Sequence, residues 1–155
     1  MNYKKLIISI LILQLAGFIG SLFTISSVNT WYAVLEKPAL NPPSWIFGPV
    51  WIALYVLIGI AFYLIWQKAF NSTRNRRVFL LFFVHIFLNG IWSILFFGAQ
   101  NILFAFVDIV AVLATLIILM SLFWKIDRRA TYLFIPYLAW VSFATYLNYS
   151  LLVLN

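Results

Sequence analysis

The sequence predicts an all-α membrane protein, a single domain over residues 1–155 built as a bundle of five transmembrane helices. Its 155 residues are 66% hydrophobic and only 8% charged, which is more apolar side chain than a soluble domain of this length can bury. The chain also divides into five nearly uncharged apolar runs, each close to the roughly 20 residues that a bilayer-spanning helix needs. We therefore expect a multi-pass protein whose partner is the lipid bilayer.

Composition excludes several kinds of site. Because the chain has no Cys, it has no disulfide, no thiolate metal site and no Cys-attached haem. One His and three acidic residues do not form an ordinary metal site. The net charge of +7 does not indicate nucleic-acid binding, because the basic residues lie in short connections and not on one folded face. We expect no metal, no nucleic acid and no required cofactor.

The first span is predicted at 5–27. Lys4 and Lys5 before an apolar run are similar to the start of a signal peptide, but the run is too long and lacks a small-x-small cleavage site. We expect a retained helix. Gly17 and Ser21 form a small-xxx-small strip, where a neighbouring helix can approach closely.

The connection from Trp31 to Trp51 is unlike a flexible linker, which would be rich in Gly and Ser. It holds four of the five prolines, three of the seven tryptophans and Glu36. Proline restricts the backbone and lowers the entropy lost on ordering, and Trp and Tyr pair an apolar body with a polar tip. We expect an ordered lid that folds back over the bundle. The alternative is an interfacial aromatic anchor at the bilayer surface.

The second span is predicted at 45–68, with Ser44 as its N-cap and Pro49 in its first turns. A polar, basic link at 71–77 follows. The third span (77–98) and the fourth (102–124) are joined by a turn so short that the two helices must be antiparallel neighbours.

The fifth span is predicted at 131–153 and contains Pro136. Proline should kink this helix and leave the carbonyl of Tyr132 without its usual partner. Five spans place the two ends of the chain on opposite sides of the membrane. One side then receives nine of the ten Lys and Arg residues, namely Lys4, Lys5, Lys68, Arg74, Arg76, Arg77, Lys125, Arg128 and Arg129. The positive-inside rule makes that side cytoplasmic, with the N-terminus inside and the lid and C-terminus outside.

Polar and aromatic residues within the spans gather at one predicted depth. A rise of 1.5 Å per residue from the expected helix starts places five of them about 20 Å above the cytoplasmic edge. These are Trp51, Asn89, Trp92, Asp108 and Ala144. Trp140 comes out lower, at about 14 Å.

Spacing places these residues in stripes on three spans. The stripes are Trp51 and Tyr55 on the second span, His85, Asn89, Trp92 and Ser93 on the third, and Trp140, Ala144 and Asn148 on the fifth. An aromatic cavity with a few amide and hydroxyl groups suits a large, flat, mostly apolar ligand. Bulky core packing is the alternative for the three inner tryptophans.

Asp108 is the only acidic residue inside a span, and such residues are functional candidates by default. It should be neutral or hydrogen-bonded, because an unpaired carboxylate is costly in hydrocarbon. Two roles stay open, structural bonding between helices and a ligand or proton group. His85 lies about 8 Å lower, so a direct pair with Asp108 is not expected. His85 is either a core residue with satisfied nitrogens or an axial haem ligand.

Several motifs, taken in order, resemble the translocator protein family, also called tryptophan-rich sensory proteins (TspO) or peripheral benzodiazepine receptors. They are Trp31-Tyr32, Leu35-Glu-Lys-Pro38, Pro42-Pro43, Phe47-Gly-Pro-Val-Trp51, Asn89-x-x-Trp92-Ser93, Phe104-Ala105-x-x-Asp108, Pro136-Tyr-Leu-Ala-Trp140 and Phe143-Ala144-x-x-Leu147-Asn148. The resemblance covers nearly the whole chain, and the short loops favour a bacterial member of the inner (plasma) membrane.

The resemblance implies an outer-half pocket, closed by the first loop, that binds porphyrins such as protoporphyrin IX and isoquinoline carboxamide or benzodiazepine-type ligands. It ties Trp51 and Trp140 to light- and oxygen-dependent porphyrin breakdown. It also implies ligand contacts from Tyr32, Pro42, Asn89, Trp92, Ser93 and Ala144. The motifs and stripes add Phe47, Tyr55, Asp108 and Asn148 as candidates. Sterol binding is not carried over, because no basic residue follows the last tyrosines of the fifth span.

Two other functions and a possible homodimer stay open. A transporter of porphyrin or of another amphipathic molecule is one, although the chain shows no inverted repeat and only one mid-membrane carboxylate for ion coupling. A non-catalytic scaffold that regulates partner proteins is the other. The small strips Gly17/Ser21 and Ala111/Thr115 permit a dimer and equally permit packing within one bundle.

Overall fold

A computed structural model describes residues 2–69 and 76–155, and the five predicted spans are all present in it. They are α1 (Tyr3–Ser27), a 3-10 turn (Ser44–Ile46) that leads into α3 (Phe47–Ala69), α4 (Arg76–Ser93) with a π-helical turn (Ile94–Gly98), α5 (Ile102–Ile126), and α6 (Arg128–Leu133) followed by α7 (Ile135–Leu154). A short helix, α2 (Trp31–Val34), lies in the first connection. All five spans are long and apolar enough to cross a membrane. Most of the predicted link at 71–77, with Arg74, lies outside the described residues.

Helix ends depart from the prediction by at most three residues, and side-chain caps account for some of the differences. Asn2 accepts the N–H of Lys5, so α1 begins earlier than expected. Asp127 accepts the N–H of Arg129 and starts the fifth span at residue 128. The prediction that Ser44 caps the second span is wrong. Ser44 lies inside the 3-10 turn, whose N-cap is Pro43.

The predicted kink in the fifth span is confirmed. Helix α6 ends at Leu133 and α7 begins at Ile135, one residue before Pro136. The carbonyl of Tyr132 loses its usual partner because proline has no N–H. The N–H of Phe134 donates to the carbonyl of Thr131 at 3.0 Å and is shared with that of Tyr132.

Helices α1 and α3 approach each other closely at two glycines. A Cβ on Gly59 would lie 2.8 Å from the Cα of Ile10, and a Cβ on Gly17 would overlap the ring of Tyr55. The small-residue strip of α1 is therefore used, at Gly17, for packing within one bundle. The homodimer stays a prediction.

Aromatic rings pack face-to-face and edge-on in the core of the bundle, among Leu, Ile and Val side chains. Phe62 of α3 lies parallel to Phe82 of α4 with ring centroids 4.5 Å apart, and Phe123 of α5 contacts Phe134 at 5.1 Å. These rings are buried, whereas α1 leaves many of its large apolar side chains exposed. Helix α1 therefore lies at the edge of the bundle, where its exposed side would face lipid.

One end of the bundle, called here the basic end, is joined by an ion-pair cluster around Asp127. Its carboxylate lies 3.0 Å from the Nζ of Lys68 and 2.9 Å from a guanidinium nitrogen of Arg129. The hydrogen bond from Arg129, followed by those from Lys68, holds the pKa of Asp127 well below its ordinary value. Lys5 lies over the ring of Trp66 at the same end. Lys5, Lys68 and Arg129 thus lie at the same end of the bundle, as predicted. Which side of the cell membrane this end faces stays a prediction.

Candidate functional site

The opposite end of the bundle, called here the lid end, is covered by the connection between the first two spans. Trp31 and Tyr32 of α2 pack edge-on against Phe96, with ring centroids 5.3 and 6.0 Å apart. Tyr32 also contacts Phe97 at 5.9 Å and is itself buried. The prediction of an ordered segment folded back onto the protein is confirmed. We call residues 31–43 the lid.

A π-helical turn at the end of the third span makes this docking possible. The N–H of Ala99 reaches the carbonyl of Ile94, five residues back, at 2.7 Å. The hydroxyl of Ser27 on α1 donates to the carbonyl of Phe97 at 2.7 Å. Two consecutive phenylalanines, Phe96 and Phe97, are thereby both buried under the lid. π-Turns inside α-helices occur frequently at functional sites, and the sequence analysis missed this one.

Hydrogen bonds hold the lid in shape and join it to the fifth span. The Tyr32 hydroxyl donates to Oδ1 of Asn41 at 2.7 Å, and burial raises the pKa of this phenol, which keeps it protonated. Lys37 donates to two carbonyls at the end of α2 and lies over the Tyr32 ring. The amide of Asn155 makes a reciprocal pair with the backbone of Glu36, at 3.0 and 3.1 Å.

A cavity of about 320 Å³ opens in the lid itself. It is lined by Val28, Asn29, Tyr32, Ala33, Lys37, Asn41, Pro42, Pro43 and Ser44. Of the predicted ligand residues, Tyr32 and Pro42 line this cavity and the others do not. The cavity therefore lies in the cover and not in the layer of inner tryptophans below it.

The second and fifth spans meet along an aromatic seam formed by Phe47, Trp51, Tyr137 and Trp140. The rings of Phe47 and Trp140 are 6.0 Å apart, and those of Trp51 and Tyr137 are 6.2 Å apart. Trp140 thus lies level with Phe47, one turn beyond Trp51 toward the lid. The ring contact with Phe47 does not agree with the lower depth predicted for Trp140. Both indole rings are half-buried.

Trp92 connects the lid to the interior of the bundle. Its ring stacks on Phe96, with centroids 5.1 Å apart and planes 14° from parallel. Its indole N–H donates to Oδ1 of Asn148 at 2.9 Å, and the Asn148 amide donates to the carbonyl of Ile102 at 3.1 Å. The third, fourth and fifth spans are therefore joined directly beneath the lid.

A buried chain of hydrogen bonds runs through the middle of the bundle. Tyr55 donates to Oδ1 of Asn89 at 2.6 Å, and Nδ2 of Asn89 donates to the hydroxyl of Tyr137 at 2.9 Å. That hydroxyl lies 3.0 Å from Nε2 of His85, whose Nδ1 lies 2.8 Å from the hydroxyl of Thr115. The chain links the second to fifth spans. We call it the polar chain, and it occupies both polar atoms of the Asn89 side chain and both nitrogens of His85.

Three other candidate residues lie outside the polar chain. Asp108 is buried, and one of its oxygens, Oδ2, has no hydrogen-bond partner among the described residues. As expected, it does not pair with His85, whose partners are Tyr137 and Thr115.

Ala144 is half-buried against the core. The hydroxyl of Ser93 lies where a Cβ on Gly20 of α1 would contact it, so this side chain faces the first span. Their roles as ligand contacts stay predictions.

Comparison with known proteins places the chain in a family. A model of the TspO/MBR family matches residues 9–154. The chain belongs to the TspO/MBR family. It is 47% identical over 155 residues to the tryptophan-rich protein TspO of Archaeoglobus fulgidus, covering 100% of this chain and 99% of that protein. It is 38% identical over 137 residues to the translocator protein of Homo sapiens, covering 88% of this chain and 81% of that one.

A third relative is the protein CrtK of Rhodobacter capsulatus, to which the chain is 31% identical over 140 residues, covering 90% of this chain and 86% of that protein. The resemblance stated from the motifs is therefore confirmed. With five apolar spans, this TspO/MBR member is a multi-pass protein of the cell membrane.

Sequence reasoning missed Tyr137 as a site residue. It is completely buried and contacts four of the residues discussed above, namely Trp51, His85, Asn89 and Phe134. The available signal was its position three residues before Trp140, which places the two side chains on the same face of the helix.

Proposed function

We propose that this TspO/MBR member binds a flat, mostly apolar tetrapyrrole, a porphyrin such as protoporphyrin IX, at the lid end of the bundle. The observation that carries the proposal is the aromatic seam between the second and fifth spans. There the half-buried indoles of Trp51 and Trp140 lie one turn apart, with the Phe47 ring against Trp140. Half-buried rings keep surface on which a flat ligand can stack, and stacked or edge-on aromatic pairs contribute about 0.5–1.5 kcal/mol beyond area burial.

The lid takes part in this proposal as the cover of the site. Its cavity of about 320 Å³ is at the small end of ligand pockets, which span about 300–1,000 Å³. A tetrapyrrole therefore requires the lid to move away from Phe96 and Phe97. Tyr32 and Pro42 line the cavity and would contact a ligand that enters by this route. Isoquinoline carboxamide and benzodiazepine-type molecules are flat and mostly apolar too, so we expect them to compete for the same site.

Light- and oxygen-dependent breakdown of the bound porphyrin is part of the proposal. Indole is readily oxidised, so Trp51 and Trp140 are the residues that would exchange electrons with an excited ring. Oxygen is the terminal oxidant. The scheme needs no acid–base pair and no nucleophile.

Protoporphyrin IX titration tests binding through the intrinsic tryptophan fluorescence. Trp51→Phe and Trp140→Phe should each raise the dissociation constant and reduce the quenching. Trp124→Phe, near the basic end and 43% exposed, is the matched control and should leave the dissociation constant unchanged. The proposal fails if protoporphyrin IX quenches none of these proteins, or if the control loses affinity as the seam variants do.

Transport of a porphyrin or another amphipathic molecule is the second candidate function. Asp108 favours it, because a buried carboxylate oxygen without a described partner is a costly arrangement and intramembrane acids often belong to proton or ion pathways. The names of relatives, translocator protein among them, point the same way. Flux in proteoliposomes decides between the two: Asp108→Asn should abolish flux if the chain transports and leave protoporphyrin IX affinity intact. Binding without flux in the unmodified protein would reject transport.

A further inference from the structure

Tyr137 lies between an indole ring and an imidazole ring in the interior of the bundle. Its ring packs edge-on against Trp51 at 6.2 Å and against His85 at 5.6 Å. Its hydroxyl lies 3.0 Å from Nε2 of His85. Both Tyr137 and His85 are completely buried. The seam and the polar chain therefore meet at this one tyrosine.

The direction of each hydrogen bond in the polar chain follows from its two ends. At one end, Nδ2 of Asn89 is a donor only, so the Tyr137 hydroxyl accepts from it and gives its own proton to His85. At the other end, the Thr115 hydroxyl donates to the carbonyl of Ala111 and so accepts from Nδ1 of His85. Both ends require the same form of His85, neutral, with its proton on Nδ1 and Nε2 free to accept.

We propose that Tyr137 and His85 form a redox pair that re-reduces Trp51 after a one-electron oxidation. The inference rests on the proposed function for its oxidant, a photoexcited tetrapyrrole that takes one electron from the indole. One electron then passes from Tyr137 to the Trp51 radical cation, while the phenolic proton passes to Nε2 of His85. The products are neutral Trp51, a neutral Tyr137 phenoxyl radical and a His85 imidazolium. One positive charge has moved from indole to imidazole, and no atom is lost.

The polar chain is arranged to accept that proton without moving a side chain. An imidazolium donates from both nitrogens, and Nδ1 of His85 already donates to Thr115. A proton acceptor needs to lie about 2.6–3.2 Å from the donor, and the 3.0 Å separation of Tyr137 and His85 meets this requirement. A buried imidazolium is costly. When the reduced tetrapyrrole returns its electron to the phenoxyl radical, the proton returns from His85 to Tyr137 and the pair resets.

The second tyrosine beside Trp51 provides the matched control. Tyr55 is buried and its ring lies 5.5 Å from that of Trp51, closer than Tyr137. Its hydroxyl, however, donates to the amide oxygen of Asn89, which is a far weaker base than imidazole. Distance alone would favour oxidation of Tyr55, whereas the proton acceptor favours Tyr137.

The test generates tryptophan radicals in the purified full chain, in detergent micelles without tetrapyrrole. A ruthenium(II) polypyridyl complex with a sacrificial acceptor serves as photo-oxidant, and freeze-quench EPR with transient absorption records the radicals. Unmodified protein should yield a tyrosyl radical that is lost in Tyr137→Phe, strongly reduced in His85→Gln and retained in Tyr55→Phe. Trp51→Phe should also lose it, and formation should slow in D2O because a proton moves with the electron.

An unchanged tyrosyl signal in Tyr137→Phe or in His85→Gln overturns the proposal, and so does equal loss in Tyr55→Phe. Far-UV circular dichroism and gel-filtration profiles verify that each variant is folded. His85→Gln keeps an amide beside Tyr137, so it provides an independent result if Tyr137→Phe does not fold. Because no tetrapyrrole is present, a failure of porphyrin binding does not alter this readout. If protoporphyrin IX quenches the fluorescence normally but no tyrosyl radical forms, the redox pair is rejected and the proposed porphyrin binding is not.

Discussion

The hydroxyl of Tyr137 should contribute about twice as much to the stability of the bundle as the hydroxyl of Tyr55. Tyr137→Phe deprives two buried partners of a hydrogen bond, Nδ2 of Asn89 and Nε2 of His85. Tyr55→Phe deprives one, Oδ1 of Asn89. Both substitutions keep the ring, so neither creates a large cavity, and the comparison isolates the hydrogen bonds.

The magnitude follows from the number of groups left without a partner. In soluble proteins a buried group that loses its partner costs about 1–3 kcal/mol. Hydrogen bonds between membrane helices contribute less, about 0.6 kcal/mol on average and up to about 1.7 kcal/mol. The membrane values apply here, so we expect a loss of about 1–3 kcal/mol for Tyr137→Phe and about 0.6–1.7 kcal/mol for Tyr55→Phe.

Unfolding by dodecyl sulfate in dodecyl maltoside micelles, followed by tryptophan fluorescence and far-UV circular dichroism, measures both variants on one scale. A cost for Tyr55→Phe that equals or exceeds that of Tyr137→Phe would show that the polar chain does not have the connectivity described.

Three further predictions concern other parts of the molecule. Asp127→Ala removes a helix cap and should lower the free energy of unfolding by about 1 kcal/mol at neutral pH. The pKa of Asp127 is lower in the folded protein than in the unfolded chain, so the stability that its carboxylate contributes should be present above about pH 4 and be lost on acidification. The variant should not show this loss. Asn155→Ala should speed amide hydrogen exchange at Glu36, which loses its side-chain acceptor; unchanged exchange would show that the amide pair with Asn155 does not hold the lid. Gly59→Ala should destabilise by about 1–3 kcal/mol through overlap with α1, whereas Gly90→Ala, which meets nothing within 4 Å, should not, and thermal unfolding compares the two.

The spans and the lid could be predicted because their signals are local. Apolar length sets the spans whatever the neighbours are, and proline with aromatic residues marks an ordered segment wherever it packs. The turn at Pro136 is equally local, since the missing N–H breaks the helix from within. The start of the fifth span was misjudged by three residues because its cap, Asp127, lies inside a charged link and was not identified as a cap.

The partners of the inner polar residues could not be predicted, because periodicity places a residue on a helix face without saying which helix it meets. His85 and Asn89 were assigned to one face of the third span, but their shared partner Tyr137 became evident only in three dimensions. The π-turn has no signal in hydrophobic periodicity, since one inserted residue changes which side chains face inward. Without it, Phe96 and Phe97 would not both lie under Tyr32.

The lid and the polar chain are held by different forces, and this difference bears on how a ligand enters. The lid meets the bundle mainly through ring contacts such as Trp31 with Phe96, each contributing about 0.5–1.5 kcal/mol, and through the exposed amide pair of Glu36 and Asn155. Water can replace the amide pair when the lid lifts, and a flat apolar ligand can replace the ring contacts. The hydrogen bonds of Tyr137 have no such substitute, because their atoms are buried and lie beyond the reach of water. Opening the lid therefore breaks contacts that water and a flat ligand can replace, and it leaves intact the interior arrangement on which the seam tryptophans depend.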